Sequence, residues 1–133
     1  MLVPAESKAF DSTAPVIAAW DGSSAAAHAI RAALPFFRTA SSVHLVTVGD
    51  RDQIFSCVNA ASWLSRHGIH AESHVLRWDD YSIAEHLGHF AARMNASAIV
   101  MGAYGHSRLR ETLFGGVTRE LMKSSRLPLI MAH

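Results

Sequence analysis

Between positions 102 and 118 the chain reads Gly-Ala-Tyr-Gly-His-Ser-Arg-Leu-Arg-Glu-Thr-Leu-Phe-Gly-Gly-Val-Thr. Gly102, Gly105, Gly115 and Gly116 have no Cβ, so an anion can come close to the backbone amides around them. The amides of residues 116 to 118 would open a helix, and a helix N-terminus favours negative charge. The chemistry such a segment suits is phosphate binding. The same glycines serve equally well for a tight turn at Gly102 and Gly105 and a helix start at Gly115 and Gly116, and spacing alone does not decide between the two. Thr118 either donates its hydroxyl to a phosphate or supports the first helical turn. His106 would add pH-dependent charge to the loop. Arg108 and Arg110 flank it, although a surface arginine is more often solvated than phosphate-bound.

Other reactive patterns are weaker. There is no G-x-x-x-x-G-K-[ST] loop and no G-x-G-x-x-G after the first strand, which argues against a P-loop enzyme and an ordinary dehydrogenase. No G-x-S-x-G elbow is present, which disfavours a dedicated serine hydrolase. His86 and His89 stand three apart on a helix, with His70 and His74 nearby in sequence, but no third ligand stands out and zinc is a minor reading. Cys57, beside Phe55 and Val58 in a helical pattern, reads as buried filler rather than a reactive thiol.

The elements that must carry the glycine segment follow from apolar periodicity. Pro15 to Trp20 is a short apolar run closed by Asp21-Gly22-Ser23, a buried strand ending in a turn and a helix cap. Ala26, Ala29, Ile30, Ala33, Leu34 and Phe37 then recur at three and four, with Pro35 expected to kink or shorten the last turn. Val43 to Val48 is a second strand, and Ile54, Val58, Ala61 and Leu64 mark a helix that stops before Gly68. Ile69 to Leu76 alternates like an edge strand. Ser82-x-x-Glu85 offers a capping box for a helix striped by Ile83, Leu87, Phe90, Ala91 and Met94 and ended by Asn95. Ala98 to Met101, a helix from about Val117 to Ser125, and Pro128 to Ala132 complete a βαβαβαβαβ pattern. Right-handed crossovers then imply a parallel sheet between helical layers, with ligands beyond the strands' C-terminal ends.

Composition fits one domain over residues 15–133, preceded by a flexible arm at 1–14. The 133 residues are 50% hydrophobic and carry twelve Lys+Arg against eleven Asp+Glu. A formal net charge of +1 supplies no broad positive field for nucleic acid or an anionic membrane. The nine histidines make that charge sensitive to acidification. No uncharged apolar run approaches the ~20 residues that span a bilayer. The first fourteen residues lack the apolar core of a secretion signal, and a single cysteine needs no oxidising compartment, so the cytoplasm is the expected location.

The glycine segment and the Ala-Trp-Asp-Gly-Ser first turn together resemble the universal stress protein family. Its hallmark is G-x2-G-x9-G-[ST], followed by a small apolar residue and Ser or Thr. Gly102, Gly105 and Gly115 hold all three spacings, and Gly116 stands where the family has a hydroxyl. The likeness runs from Pro15 to His133 and is strongest to the second half of two-domain members. It implies a three-layer α/β sandwich whose five-stranded parallel sheet has the order 3-2-1-4-5, like the adenine nucleotide alpha hydrolases. It also implies a site for ATP or AMP, with or without Mg2+. Asp21 would contact the nucleoside, Ala19 and Val48 would line the adenine, and Gly102, Gly105, Gly115, Gly116 and Val117 would cradle the phosphates. Trp20, Met101, His106 and Thr118 stand beside these positions, and Trp20 would either stack on the ligand or pack under the sheet. The lost hydroxyl at Gly116 removes one donor, worth ~1 kcal/mol to a neutral acceptor. The implied role is stress response through nucleotide-dependent stability or partner contacts. A module of the same fold that binds no nucleotide and a slow ATPase are the alternatives. The resemblance further implies a homodimer through Pro128 to Ala132, because an apolar edge strand with nothing left in the chain to cover it invites a second copy.

Overall fold

Five apolar segments pair side by side in a computed structural model of the chain, which describes residues 1–3, 7, 9–49, 54–77, 79–103 and 116–133. They are β1 (Val16–Ala19), β2 (Val43–Val48), β3 (Ala71–Leu76), β4 (Ala98–Gly102) and β5 (Leu129–Ala132). All pairings are parallel and the order is β3-β2-β1-β4-β5, as the family resemblance implied. Parallel neighbours need crossovers. These are α1 (Ser24–Thr39), α2 (Ile54–Arg66), α3 (Ile83–Arg93) and the connection containing α4 (Gly116–Ser124).

The two-residue alternation of the strands divides the core. Val16, Ala18, Val43, Leu45 and Val100 face α1 and α2, meeting Ala29, Phe37 and Leu64. Ile17, Val46, Ile99 and Met101 face the other way, against Leu87 and Phe90 of α3 and Leu121 of α4. Burial on both faces is why the central strands are continuous apolar runs, whereas β3 at the edge is only half-buried.

Local signals placed the helix ends. The Ser23 hydroxyl accepts the Ala26 amide at 3.1 Å, and Gly22 takes φ +76° in the turn before it. Ser82 and Glu85 form the expected capping box: each amide donates to the other's side chain, at 2.7 and 3.1 Å. Asn95 sits at φ +52° just past α3, where the Ala96 amide closes back on the Ala91 carbonyl at 2.9 Å. Pro35 does not end α1, which continues to Thr39. Buried Ala33 and Phe37 anchor the helix to the sheet on both sides of the proline, and this packing outweighs its lost hydrogen bond.

The N-terminal residues alter one expectation. Leu2 and Leu129 form an antiparallel bridge, exchanging backbone hydrogen bonds of 2.7 and 2.8 Å. The outer edge of β5 is therefore covered at Leu129 by the start of the same chain. Phe10 packs edge-on against Phe36 at 5.7 Å, and the Ser41 amide donates to the Thr13 carbonyl at 2.8 Å. Among the described residues, no helix is long and apolar enough to cross a membrane.

Candidate functional site

Where β1, β2 and β4 end and α1, α3 and α4 begin, the molecule opens a cleft of about 560 Å³, including its mouth. This is the position at which a parallel sheet presents ligands, because the central strands send their crossovers to opposite faces and leave a crevice between them. Two bonds fix its floor. The Trp20 amide donates to the Val46 carbonyl, and the buried Thr47 hydroxyl donates to the Trp20 carbonyl, both at 2.8 Å. Asp21 thus leaves a rigid strand end. One of its carboxylate oxygens accepts the Ser23 amide at 2.9 Å, and the side chain is exposed at the cleft mouth.

Seven residues singled out from sequence come together here: Ala19, Trp20, Asp21, Val48, Met101, Gly102 and Val117. Trp20 packs against the core beneath the sheet and lines the cleft as well. Gly116 is the exposed first residue of α4, and Thr118 is buried in the same turn. Neither lines the cleft. Gly105, His106, Arg108, Arg110 and Gly115 lie outside the described residues.

Gly102 serves the fold as well as the cleft. A Cβ at this position would lie 2.5 Å from the Ala26 nitrogen and 2.7 Å from the Ala25 carbonyl carbon. Its missing side chain admits the first turn of α1 against the end of β4. A bulkier residue, as in Gly102→Val, would therefore disturb the fold as well as the cleft. At Gly116, by contrast, a Cβ meets nothing within 4 Å.

Sequence reasoning missed four lining residues: Ala26, Val46, Ile83 and Leu87. Ile83 and Leu87 were read as core. The available signal was their place at the start of α3, since a crossover helix begins at the strands' C-terminal edge. The walls are mainly apolar, with the Asp21 carboxylate at one side, which suits a flat, weakly polar ring joined to hydroxyl donors.

Among the described residues, His70, His74, His86 and His89 do not gather into one metal-holding group. His86 Nε2 lies 2.9 Å from Asp79 Oδ1, and the rings of His86 and His89 both approach Tyr81. His74 instead meets His44, with Nε2 and Nδ1 3.1 Å apart. Burial, and then the neighbouring His44, push the His74 imidazole below its ordinary pKa, while Glu72 acts in the opposite direction. Cys57 is buried in the core, as expected of filler.

The universal stress protein family model matches residues 64–133. A comparison with curated proteins finds none that matches. Among solved structures, the chain is similar to a universal stress protein from Archaeoglobus fulgidus, at 24% identity and TM-score 0.68, covering 91% of this chain and 98% of that one. A universal stress protein in complex with cAMP is 20% identical, with TM-score 0.72 and coverage of 92% and 98%. A family protein from Arabidopsis thaliana with AMP bound is 14% identical, with TM-score 0.57 and coverage of 87% and 88%. Over more than half its length the sequence fits that model, and its strand order is the one the resemblance implied: the chain belongs to the universal stress protein family.

Proposed function

We propose that the chain binds an adenine nucleotide, ATP or AMP, in the cleft at the ends of β1, β2 and β4, and that occupancy acts in stress response by altering stability or partner contacts. The observation that carries this reading is the convergence of Ala19, Val48, Asp21 and Val117 on one apolar crevice. Ala19, Val48 and Met101 suit the two faces of a purine, and Asp21 suits the ribose hydroxyls, since a carboxylate only accepts. Family structures with cAMP and with AMP bound support the ligand class. Of the described residues lining the cleft, Asp21 alone carries an acidic or basic side chain, which favours a binder over a hydrolase. Mg2+ would accompany ATP on its phosphates. Cytoplasmic location and a homodimer through β5 belong to the same reading.

Calorimetry with ATP and AMP is expected to give one site per chain, and mass spectrometry of ligand released from purified protein should identify an adenine nucleotide. Asp21→Ala should weaken binding roughly tenfold or more, the value of a hydrogen bond to a charged acceptor. Heat signals that stay flat at millimolar nucleotide would overturn the reading.

Gly116→Ser is expected to keep or tighten the affinity. The new side chain has open space and adds a hydroxyl to the helix start, worth up to about tenfold toward phosphate. A marked loss on titration would show that the phosphate lies elsewhere.

A further inference from the structure

We propose a second site, a Zn2+ site made by His44, Glu72 and His74 on the α3 side of the sheet near its β3 edge. Strand pairing builds it. His44 of β2 is the register partner of Glu72 in β3, and His74 follows Glu72 by two residues, so all three side chains share one face. Their candidate ligand atoms are mutually close: His44 Nδ1 to His74 Nε2 is 3.1 Å, His44 Nδ1 to Glu72 Oε2 is 3.6 Å, and His74 Nε2 to Glu72 Oε2 is 3.7 Å. The circle through the three atoms has a radius of about 2.0 Å, so an ion raised about 0.7 Å from their plane would stand about 2.1 Å from each, within the bond lengths of Zn2+ to imidazole nitrogen and carboxylate oxygen.

The surroundings prepare the ligands. His44 is buried, and its Nε2 lies 3.0 Å from the Ser42 hydroxyl. An Nε2–H donated to that hydroxyl leaves the Nδ1 lone pair facing the triangle, as an outer-shell partner does for a metal-bound histidine. Phe90 of α3 packs against the site at an angle, its ring centroid 4.7 Å from that of His74 (57° between planes) and 6.0 Å from that of His44 (70°). Glu72 is exposed, so a water can complete a tetrahedron from the solvent side. Arg93, whose guanidinium lies 5.0 Å from the Phe90 centroid, is the nearby positive charge that the ion must tolerate. Val46, which lines the cleft, is the register partner of His74 and follows His44 by two residues, so this site borders the inner wall of the cleft without sharing a lining residue with it. Bound metal would join the edge strand β3 to β2.

The test is a titration of the untagged chain with Zn2+ in competition with a chromophoric chelator. One ion per chain is expected, bound with at least micromolar affinity, and Co2+ in its place should show the intense visible bands of a four-coordinate site. Glu72→Gln, at an exposed position that does not threaten folding, should weaken binding by about 10- to 100-fold, and His74→Gln should abolish the Co2+ bands. A double variant His86→Ala/His89→Ala should bind Zn2+ like the parent. Zn2+ affinity unchanged by Glu72→Gln and His74→Gln, or Co2+ spectra of a six-coordinate ion only, would overturn the site and leave a hydrogen-bonded imidazole pair.

Discussion

Replacing Gly102 by alanine is expected to lower the unfolding free energy by about 3 kcal/mol, and Tm by roughly 10 °C, the cost of overpacking a site that cannot relax. The added methyl would meet backbone rather than the end of a flexible side chain, at 2.5 Å from Ala26 nitrogen and 2.7 Å from Ala25 carbonyl carbon. Neither partner moves freely. β4 is held between β1 and β5, and α1 is fixed by its Ser23 cap and by the buried Ala25 and Ala26. Relief requires the first turn of α1 to lift from the sheet, and since Ala26 also lines the cleft, nucleotide affinity should fall together with stability. Chemical denaturation of the variant without ligand separates the two effects. A midpoint equal to the parent's, combined with lost binding, would instead make Gly102 a ligand contact alone.

Gly102 also shows what a sequence conceals. A glycine reads the same whether its bare face receives a phosphate or a neighbouring helix, and only the approach of α1 to β4 distinguishes them. The elements themselves were legible because each carries its own periodicity. Val16 and Ala18 alternate with Ile17 between two helical layers, and the Ser82–Glu85 box and Asn95 mark the two ends of α3 by local chemistry. Features made by pairing between distant segments were not. His44 lies inside an apolar strand and stands twenty-eight residues from Glu72, so their meeting depends on the register of two strands joined by a crossover. Leu2 reaches Leu129 across nearly the whole chain, through two backbone hydrogen bonds that no side-chain pattern encodes. The cleft occupies a middle position. Asp21 and Val48 sit at strand ends the pattern locates, and their place in a site came from the family resemblance, whereas Ile83 and Leu87 belong to an apolar stripe that serves the core and the cleft at once.

Leu129→Lys is expected to unfold the chain rather than report on assembly. Leu129 is 0% exposed, lies in the α3–α4 core, and is bonded through its backbone to Leu2. An unpaired ammonium there costs about 3–5 kcal/mol, a large part of a typical domain's total stability. Ile130→Lys has the same defect, since Ile130 is 6% exposed on the opposite core face. Dimerisation through β5 must therefore be probed on its backbone. Pro128 and Ala132 turn their carbonyls toward β4, accepting from Ile99 and Ala103, so alternation points the main-chain groups of Leu129 and Met131 to the outer edge. Leu2 occupies the Leu129 position, which leaves the Met131 end as the place where a second copy would pair, or else requires Leu2 to be displaced. Met131→Pro removes the outward N–H while keeping the ladder to β4, a substitution that edge strands tolerate. Light scattering is expected to find a dimer for the parent and a monomer for Met131→Pro, with denaturation showing the variant folded. A parent that stays monomeric at high micromolar concentration would refute the dimer, and a folded Met131→Pro that remains dimeric would move the interface away from β5.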